Sequence, residues 1–295
     1  MTYDIQCVAP AGDVCGEGAV WCAEDGAVYW TDINRFLVHR LHPETGAVES
    51  WFFDEPVVAL SLTTEEGRLL VALGSRLIWW WPATDRRADH GFVLPGSPDV
   101  RLNDGRADPD GNFWVGSMRN NVLPDGEAGE AGGTDGVLYR IAPDGSASIH
   151  MDGLGISNTL CWSPDGATFY TADTLANEIY AFDVAADGIG NRRVFFGADA
   201  RGLPDGSAMD SDGDLWNCRF FGGAILRIAA DGTLREAIEM PVHNITTATF
   251  GGPDLTTLYI TSASALRKPG DRLAGSLWAI RTDMAGLPEN RVAIG

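Results

Sequence analysis

The chain has 295 residues, 45% of them hydrophobic, which is typical of a globular protein and too apolar for a disordered one. Its 21 Lys and Arg residues are outnumbered by 41 Asp and Glu residues, which gives a formal net charge of −20 at pH 7. This charge argues against nucleic acid and against an anionic membrane as partners, because both require a basic binding surface.

The amino-terminal segment and the cysteines indicate where the protein works. Residues 1–7 lack the basic cluster and following apolar stretch of an export signal. The densest apolar run, Leu77–Trp81, is far shorter than the roughly 20 residues of a membrane-spanning helix. The five cysteines are scattered and contain no Cys-x-x-Cys pair, so we expect reduced, buried thiols and no thiolate zinc site. Together these features predict a cytoplasmic protein without a membrane segment.

Short runs rich in aromatic and β-branched residues follow Asp-Gly or Glu-Gly pairs along the chain, and we predict these runs to be strands. The pairs favour hairpin turns because Gly accepts a positive φ without steric cost. In chain order, the first run of each repeat is Val28–Trp30, Leu69–Val71, Phe113–Val115, Phe169–Thr171, Leu215–Trp216 and Leu258–Ile260. The second run is Val38–Leu41, Leu77–Trp80, Val137–Ile141, Ile179–Phe182, Ile225–Ile228 and Leu277–Ile280.

The turns repeat at intervals of 41 to 55 residues, and this period determines the predicted fold. The repeats begin near Asp25, Glu66, Asp110, Asp165, Asp212 and Asp254. A period of roughly 40–50 residues with about four strands is typical of a propeller blade, so the sequence predicts an all-β, six-bladed β-propeller. We expect a leftover strand around Asp4–Val8 to join the last blade. No Pro- or Ser-rich linker is visible, which predicts one domain over residues 1–295.

The longest interval contains an insertion at residues 120–134 that is rich in Gly and acidic residues. Such an insertion is usually a surface loop and sometimes a lid. We expect a mobile surface loop, with a direct role at the functional site as the alternative.

Polar side chains recur at one register of the strand that precedes each turn. The residues seven or eight positions before the turns are Glu17, Ala59, Asn103, Asn158, Asp205 and Thr247. Equal register in a propeller means equal height along the central channel, so the two carboxylates and two amides should converge at one mouth. Buried carboxylates need compensation, and a divalent cation with amide oxygens completing its shell provides it. The alternative is that each residue forms a local turn or caps a strand.

Five segments carry recognisable motifs: Cys15–Trp21, Arg101–Gly111, Ile156–Gly166, Pro204–Asp210 and Phe250–Asp254. Their sequences are CGEGAVW, RLNDGRADPDG, ISNTLCWSPDG, PDGSAMD and FGGPD. In this order they resemble the motifs of the senescence marker protein / gluconolactonase / luciferin-regenerating enzyme family, which includes regucalcin. The resemblance runs through nearly the whole chain.

The resemblance implies one divalent ion, held by Glu17, Asn158 and Asp205. It also implies that Asn103 lies beside the ion, where it binds substrate or a metal-bound water, and that Arg101 contacts substrate oxygens. The usual activity of the family is the opening of sugar-acid lactones. Asp205, both ligand and carboxylate, is then the candidate general base.

Two positions depart from the family pattern. Asn121, an expected substrate-binding residue, replaces an acidic residue of the animal members, so the sugar preference is expected to differ. Thr159 stands where Gly is usual after the metal-binding Asn, and we expect it to have a local backbone effect.

The leading functional hypothesis is therefore a cytoplasmic, metal-dependent hydrolase acting on a small-molecule sugar lactone in sugar catabolism. A related propeller esterase or phosphotriesterase is the second hypothesis, and a non-enzymatic calcium-binding regulatory protein is the third. Arg101, Asn103 and Asn121 favour polyol recognition over a lipophilic substrate. For the ion, Ca²⁺ and Zn²⁺ are the first expectations, while Mg²⁺, Mn²⁺ and Fe²⁺ also suit oxygen ligands. The lactone and the oligomeric state are left open.

Overall fold

A computed structural model describes residues 3–295. Met1 and Thr2, which belong to the predicted domain and to the segment inspected for an export signal, lie outside the described residues. Within residues 3–295 all regular elements are β-strands. No helix in this range has the length and apolarity to cross a membrane.

The strands form six four-stranded antiparallel sheets, which confirms the predicted all-β, six-bladed β-propeller. The amino-terminal strand is β1 (Ile5–Ala9). The first blade holds β2 (Gly16–Cys22), β3 (Ala27–Asp32), β4 (Leu37–His42) and β5 (Ala47–Phe52). The second holds β6 (Val57–Leu62), β7 (Leu69–Leu73), β8 (Arg76–Trp81) and β9 (Arg86–Val93). The third holds β10 (Val100–Ala107), β11 (Phe113–Arg119), β12 (Gly136–Ile141) and β13 (Ala147–Leu154).

The remaining blades follow the same order. The fourth holds β14 (Ser157–Trp162), β15 (Thr168–Asp173), β16 (Glu178–Ala185) and β17 (Gly188–Phe196). The fifth holds β18 (Leu203–Met209), β19 (Leu215–Phe220), β20 (Ala224–Ile228) and β21 (Leu234–Glu239). The sixth holds β22 (Ile245–Gly251), β23 (Thr257–Ser262) and β24 (Leu277–Arg281). Its fourth strand is β1, which pairs with β24 through Ile5 and Ile280 and closes the ring as expected.

The first strand of each blade, from β2 to β22, lies at the centre of the molecule and contacts the first strands of both neighbouring blades. The backbones approach closely there. Gly18 has a φ of +57°, and a Cβ atom at this residue would lie 3.2 Å from the Cα of Ala59 in the next blade. A Cβ atom at Gly206 would lie 2.1 Å from the Oγ1 of Thr247. The ring of inner strands therefore requires glycine at both positions.

The hydrophobic core lies between the blades. Trp80 on β8 is fully buried and packs against three aromatic residues of the first blade and its exit loop. The ring centroids of Tyr29, Trp51 and Phe53 lie 6.4, 5.1 and 5.5 Å from that of Trp80, all in edge-on geometry. Apolar strands thus bury their side chains against the next sheet.

The carboxy-terminal segment, residues 283–295, crosses the face of the propeller that carries the Asp-Gly turns. Its backbone bonds to the fifth blade (Ser211 N to Ala285 O, 2.8 Å) and to the second (Val292 N to Leu62 O, 2.9 Å). It also bonds to the third blade through Ala293 N and Gly111 O at 2.9 Å. This segment covers the turn face, so the predicted site lies at the opposite mouth.

Candidate metal and substrate site

The four inner-strand residues selected by register occupy matching positions. Glu17, Asn103, Asn158 and Asp205 lie on β2, β10, β14 and β18 and are 4 to 8% exposed. In each of these strands the pairing shifts by a β-bulge at or next to the selected residue. A bulge bends its strand and re-aims the local side chains, here in the same way in four blades.

The two amides contact each other directly. Asn103 Nδ2 donates to Asn158 Oδ1 at 3.1 Å and to the carbonyl of Ser157 at 3.0 Å. Asn158 Nδ2 donates to Thr174 Oγ1 at 2.8 Å, and Thr174 Oγ1 donates to the carbonyl of Pro204 at 2.7 Å. These bonds fix the orientation of the Asn158 amide, whose oxygen retains a second lone pair for another partner.

The two carboxyl groups also meet. Burial, followed by the negative charges of Asp205 and Asp104, raises the pKa of Glu17 well above its usual range. Burial and then the charge of Asp104 likewise raise the pKa of Asp205. Gly18 N donates to Glu17 Oε2 at 3.0 Å. Without a cation, this pair keeps a proton that a free carboxylate would lose.

Asp104 is a third carboxylate near this pair, half-buried, to which the sequence analysis gave no role. Burial raises its pKa, and the positive charge of Arg106 is the largest opposing cause. Asp104 Oδ1 also accepts from Gly105 N at 2.8 Å. The sequence shows only that Asp104 directly follows Asn103, and it does not show the bulge that brings both side chains to the site.

Arg101 and Asn121 lie together beside the amides. Arg101 Nη1 donates to Asn103 Oδ1 at 2.7 Å and to the carbonyl of Leu102 at 2.9 Å. Its Nε and Nη2 both donate to Asn121 Oδ1, at 3.1 and 2.9 Å. A chain of hydrogen bonds therefore runs from Asn121 through Arg101 and Asn103 to Asn158.

The insertion at residues 120–134 brings Asn121 to this position. It lies against the first blade, where Asn34 Nδ2 donates to the carbonyl of Gly126 at 2.7 Å. Val122 is buried in the same apolar cluster as Ile33 and Leu102. The insertion thus reaches from the third blade to the first, and it contributes a side chain to the candidate site.

The donor set suits a hard divalent cation. Two carboxylates would neutralise the ion, and the amide oxygens of Asn103 and Asn158 lie beside them. Within residues 3–295, no group of three or more His, Cys, Asp or Glu residues has the geometry of a metal site. The candidate centre therefore depends on amide oxygens as well as carboxylates.

Comparison with known proteins identifies the family. Residues 15–264 match the family described as the SMP-30/gluconolactonase/LRE-like region. The chain belongs to this family. It is 34% identical to a 6-deoxy-6-sulfogluconolactonase of Pseudomonas putida over 98% of both chains. It is 33% identical to the pentonolactonase XacC of Haloferax volcanii over 94% of both chains.

Solved structures of the SMP-30/gluconolactonase/LRE-like family have the same architecture. The structure of a calcium-binding protein, regucalcin, from Agrobacterium tumefaciens superposes with a TM-score of 0.90 and 26% identity. The superposition covers 99% of this chain and 98% of that one. The whole propeller, with its closing strand, is thus shared with that member of the family.

Proposed function

We propose that the chain is a divalent-metal-dependent hydrolase that opens the ring of a sugar lactone, with Glu17, Asn158 and Asp205 as metal ligands. The observation that carries the proposal is the buried Glu17–Asp205 pair, which lies on inner strands at the same height as the Asn103–Asn158 pair. Relatives named as lactonases that align along nearly the whole chain support the reaction class. A single domain over residues 1–295 and a cytoplasmic location belong to the same proposal.

The protein residues divide the work of ring opening. A divalent ion in this donor set supplies a Lewis acid that polarises a carbonyl group. Arg101 donates hydrogen bonds to lactone oxygens and orients the ring, and Asn103 does the same once a lactone oxygen replaces one of its present acceptors, Asn158 Oδ1 or the Ser157 carbonyl. The carboxylate of Asp205 accepts a proton from the attacking water as general base. Water oxygen bonds to the carbonyl carbon, the ring C–O bond breaks, and the ring oxygen takes up the proton, so the product is an open-chain hydroxy acid.

A pH-drop assay on a panel of aldonolactones tests this proposal. The panel is run with chelator, and then with Ca²⁺, Zn²⁺, Mg²⁺, Mn²⁺ or Fe²⁺ added back. We expect chelation to abolish turnover and one of these ions to restore it. A related esterase or phosphotriesterase would leave the lactones intact and cleave non-sugar esters, and a regulatory calcium-binding protein would bind Ca²⁺ and cleave neither.

The variant Asp205→Ala tests the role of the carboxylate. We expect it to lose both lactone turnover and metal binding, because one side chain serves both. Asp231→Ala, which removes an exposed turn carboxylate, is the matched control and should keep both. Normal turnover by folded Asp205→Ala would show that the assignment of Asp205 is wrong.

A further inference from the structure

We propose that the lactone carries an additional anionic group, and that Arg101, left without a carboxylate partner because residue 121 is Asn, binds that group. The inference rests on the proposed lactonase function and adds a substrate class to it. The group is one with two or more oxygens in a plane or on one face, namely a carboxylate, sulfonate or phosphate.

Arg101 is a buried cation surrounded by neutral oxygens. Its residue is 7% exposed, and its acceptors are the amide oxygens of Asn121 and Asn103 and the carbonyl of Leu102. No carboxylate oxygen in the described part of the chain lies within 4.0 Å of its guanidinium. A buried charge without an opposite partner is costly, so the site favours a ligand that supplies one.

The carboxylate whose charge acts on Arg101 already has another proposed role. Burial lowers the pKa of Arg101 to about 10, and Glu17 is the carboxylate whose charge opposes this shift. Glu17 is also a proposed metal ligand, and a divalent ion would take up its charge. Arg101 therefore keeps a net positive charge in the metal-loaded site.

Comparison with two other arginines, the partly exposed Arg227 and the buried Arg219, shows what is unusual about Arg101. Arg227 pairs with the carboxylate of Asp214 at 2.9 Å. Arg219 lacks a carboxylate partner but is fully buried, and neutral oxygens that include Asn177 Oδ1 and Asn217 Oδ1 enclose it. Arg101 differs from both because its guanidinium is held by Asn121, a residue of the insertion at residues 120–134.

The hydrogen bonds between Arg101 and Asn121 have a geometry in which an anion could take the place of the Asn121 amide oxygen. The Nε and Nη2 edge of a guanidinium fits two oxygens of a carboxylate or sulfonate, but here a single amide oxygen accepts both N–H groups. A substrate anion that displaces Asn121 Oδ1 would form two charge-assisted bonds in its place. The acidic residues Asp125, Glu127 and Glu130 of the same insertion are exposed, so solvent and salt screen their charges.

The test compares lactones that differ in one charged group. The neutral substrate is glucono-1,5-lactone, and the charged ones are a glucarolactone with a carboxylate at C6 and a gluconolactone with a sulfonate at C6. For the wild type we expect kcat/KM to be about 10- to 100-fold higher for at least one charged lactone, as a charge-assisted bidentate contact provides. Equal or better turnover of the neutral lactone would overturn the inference and leave the proposed lactonase function intact.

Two variants of Asn121 separate the charge effect from a change of shape. Asn121→Asp is nearly isosteric and gives Arg101 a carboxylate, so it should abolish the preference for the charged lactones, measured as the ratio of kcat/KM between charged and neutral lactones. Asn121→Ala leaves Arg101 unpaired and should keep the preference. An unchanged preference in Asn121→Asp, or its loss in both variants, would contradict the role of Arg101.

A binding measurement separates failure of this inference from failure of the proposed function. Calorimetric titration with glucarate and gluconate reports recognition of the second anionic group without any ring opening. Tighter binding of glucarate that Asn121→Asp abolishes supports the inference even where no lactone is opened. Equal affinity of the wild type for the two acids overturns it.

Discussion

Thr159, which follows the proposed metal ligand Asn158, has a φ of +53°, a conformation that β-branched residues rarely adopt. Its hydroxyl group donates to the backbone carbonyl of Asp205 and lies 2.9 Å from Ser207 Oγ. Asn217 Nδ2 donates to the same hydroxyl at 3.2 Å and to the carbonyl of Asp205 at 3.2 Å. The strained residue therefore ties the strand of one proposed ligand to the strand of another, which goes beyond the expected local backbone effect.

Replacing Thr159 tests this tie. Thr159→Gly relieves backbone strain of about 1–3 kcal/mol and removes a hydrogen bond of about 1 kcal/mol, so we expect its stability to equal or exceed that of the wild type. Its affinity for the divalent ion should fall about 3- to 10-fold, because Asp205 loses a positioning contact. Thr159→Ser keeps the hydroxyl and should keep the affinity. Calorimetric titration with the divalent ion measures these affinities. Wild-type affinity in Thr159→Gly would show that the contact between Thr159 and Asp205 has no positioning role.

At the scale of strands, counting residues back from the turns located the inner-strand polar residues because each blade repeats the same strand-to-turn distance. Asp104 could not be found this way, since its place beside Glu17 and Asp205 depends on the bulge in β10, and no residue type in the sequence marks that bulge. In the second blade, the bulge of β6 lies between Val57 and Ala59, which is not the position that the bulge takes in β2, β10, β14 and β18. Thr174 also escaped prediction, because it lies in a loop of the fourth blade and bonds to the fifth.

The packing of β8 against the first blade predicts a large effect on stability. Trp80→Ala removes a fully buried indole that contacts Tyr29, Trp51 and Phe53, and it should lower the free energy of unfolding by about 3–5 kcal/mol. Trp80→Phe retains part of the packing and loses the bond from Nε1 to Asp85 Oδ1 at 3.0 Å, so its loss should be smaller. Urea unfolding measures both, and equal losses would contradict a packing role.

At the scale of the whole molecule, two features close the propeller. β1 completes the sixth blade, and residues 283–295 bond to turns of the second, third and fifth blades. Glu289 of this segment accepts from Thr249 Oγ1 at 2.8 Å and lies 3.5 Å from Arg106, whose positive charge acts on Asp104. Strand β1 and residues 283–295 thus hold the ring around two buried carboxyl groups and the half-buried Asp104, which repel one another in a molecule that already carries a net charge of −20.

This repulsion makes stability depend on pH and on the ion. In the folded protein the pKa values of Glu17 and Asp205 are raised above those in the unfolded chain. The contribution of the pair to folding stability is therefore fully present below the ordinary carboxyl pKa. It is lost as the pH rises through the raised pKa values of the folded state. In chelator, Glu17→Gln should therefore be more stable than the wild type, and the difference in stability should grow as pH rises above the ordinary carboxyl pKa. With saturating Ca²⁺ the order should reverse, because the variant lacks a ligand.

Thermal unfolding from pH 5 to pH 8, with chelator and with Ca²⁺, measures both parts of this prediction. Glu44→Gln removes an exposed turn carboxylate and serves as the control, whose stability should follow that of the wild type in both series. The decisive result is that Glu17→Gln is more stable than the wild type in chelator and less stable than the wild type in Ca²⁺. A purely structural defect in Glu17→Gln would lower its stability with and without the ion. If Glu17→Gln were less stable than the wild type in chelator at pH 8, the carboxyl pair would not be the repulsive centre that a cation neutralises.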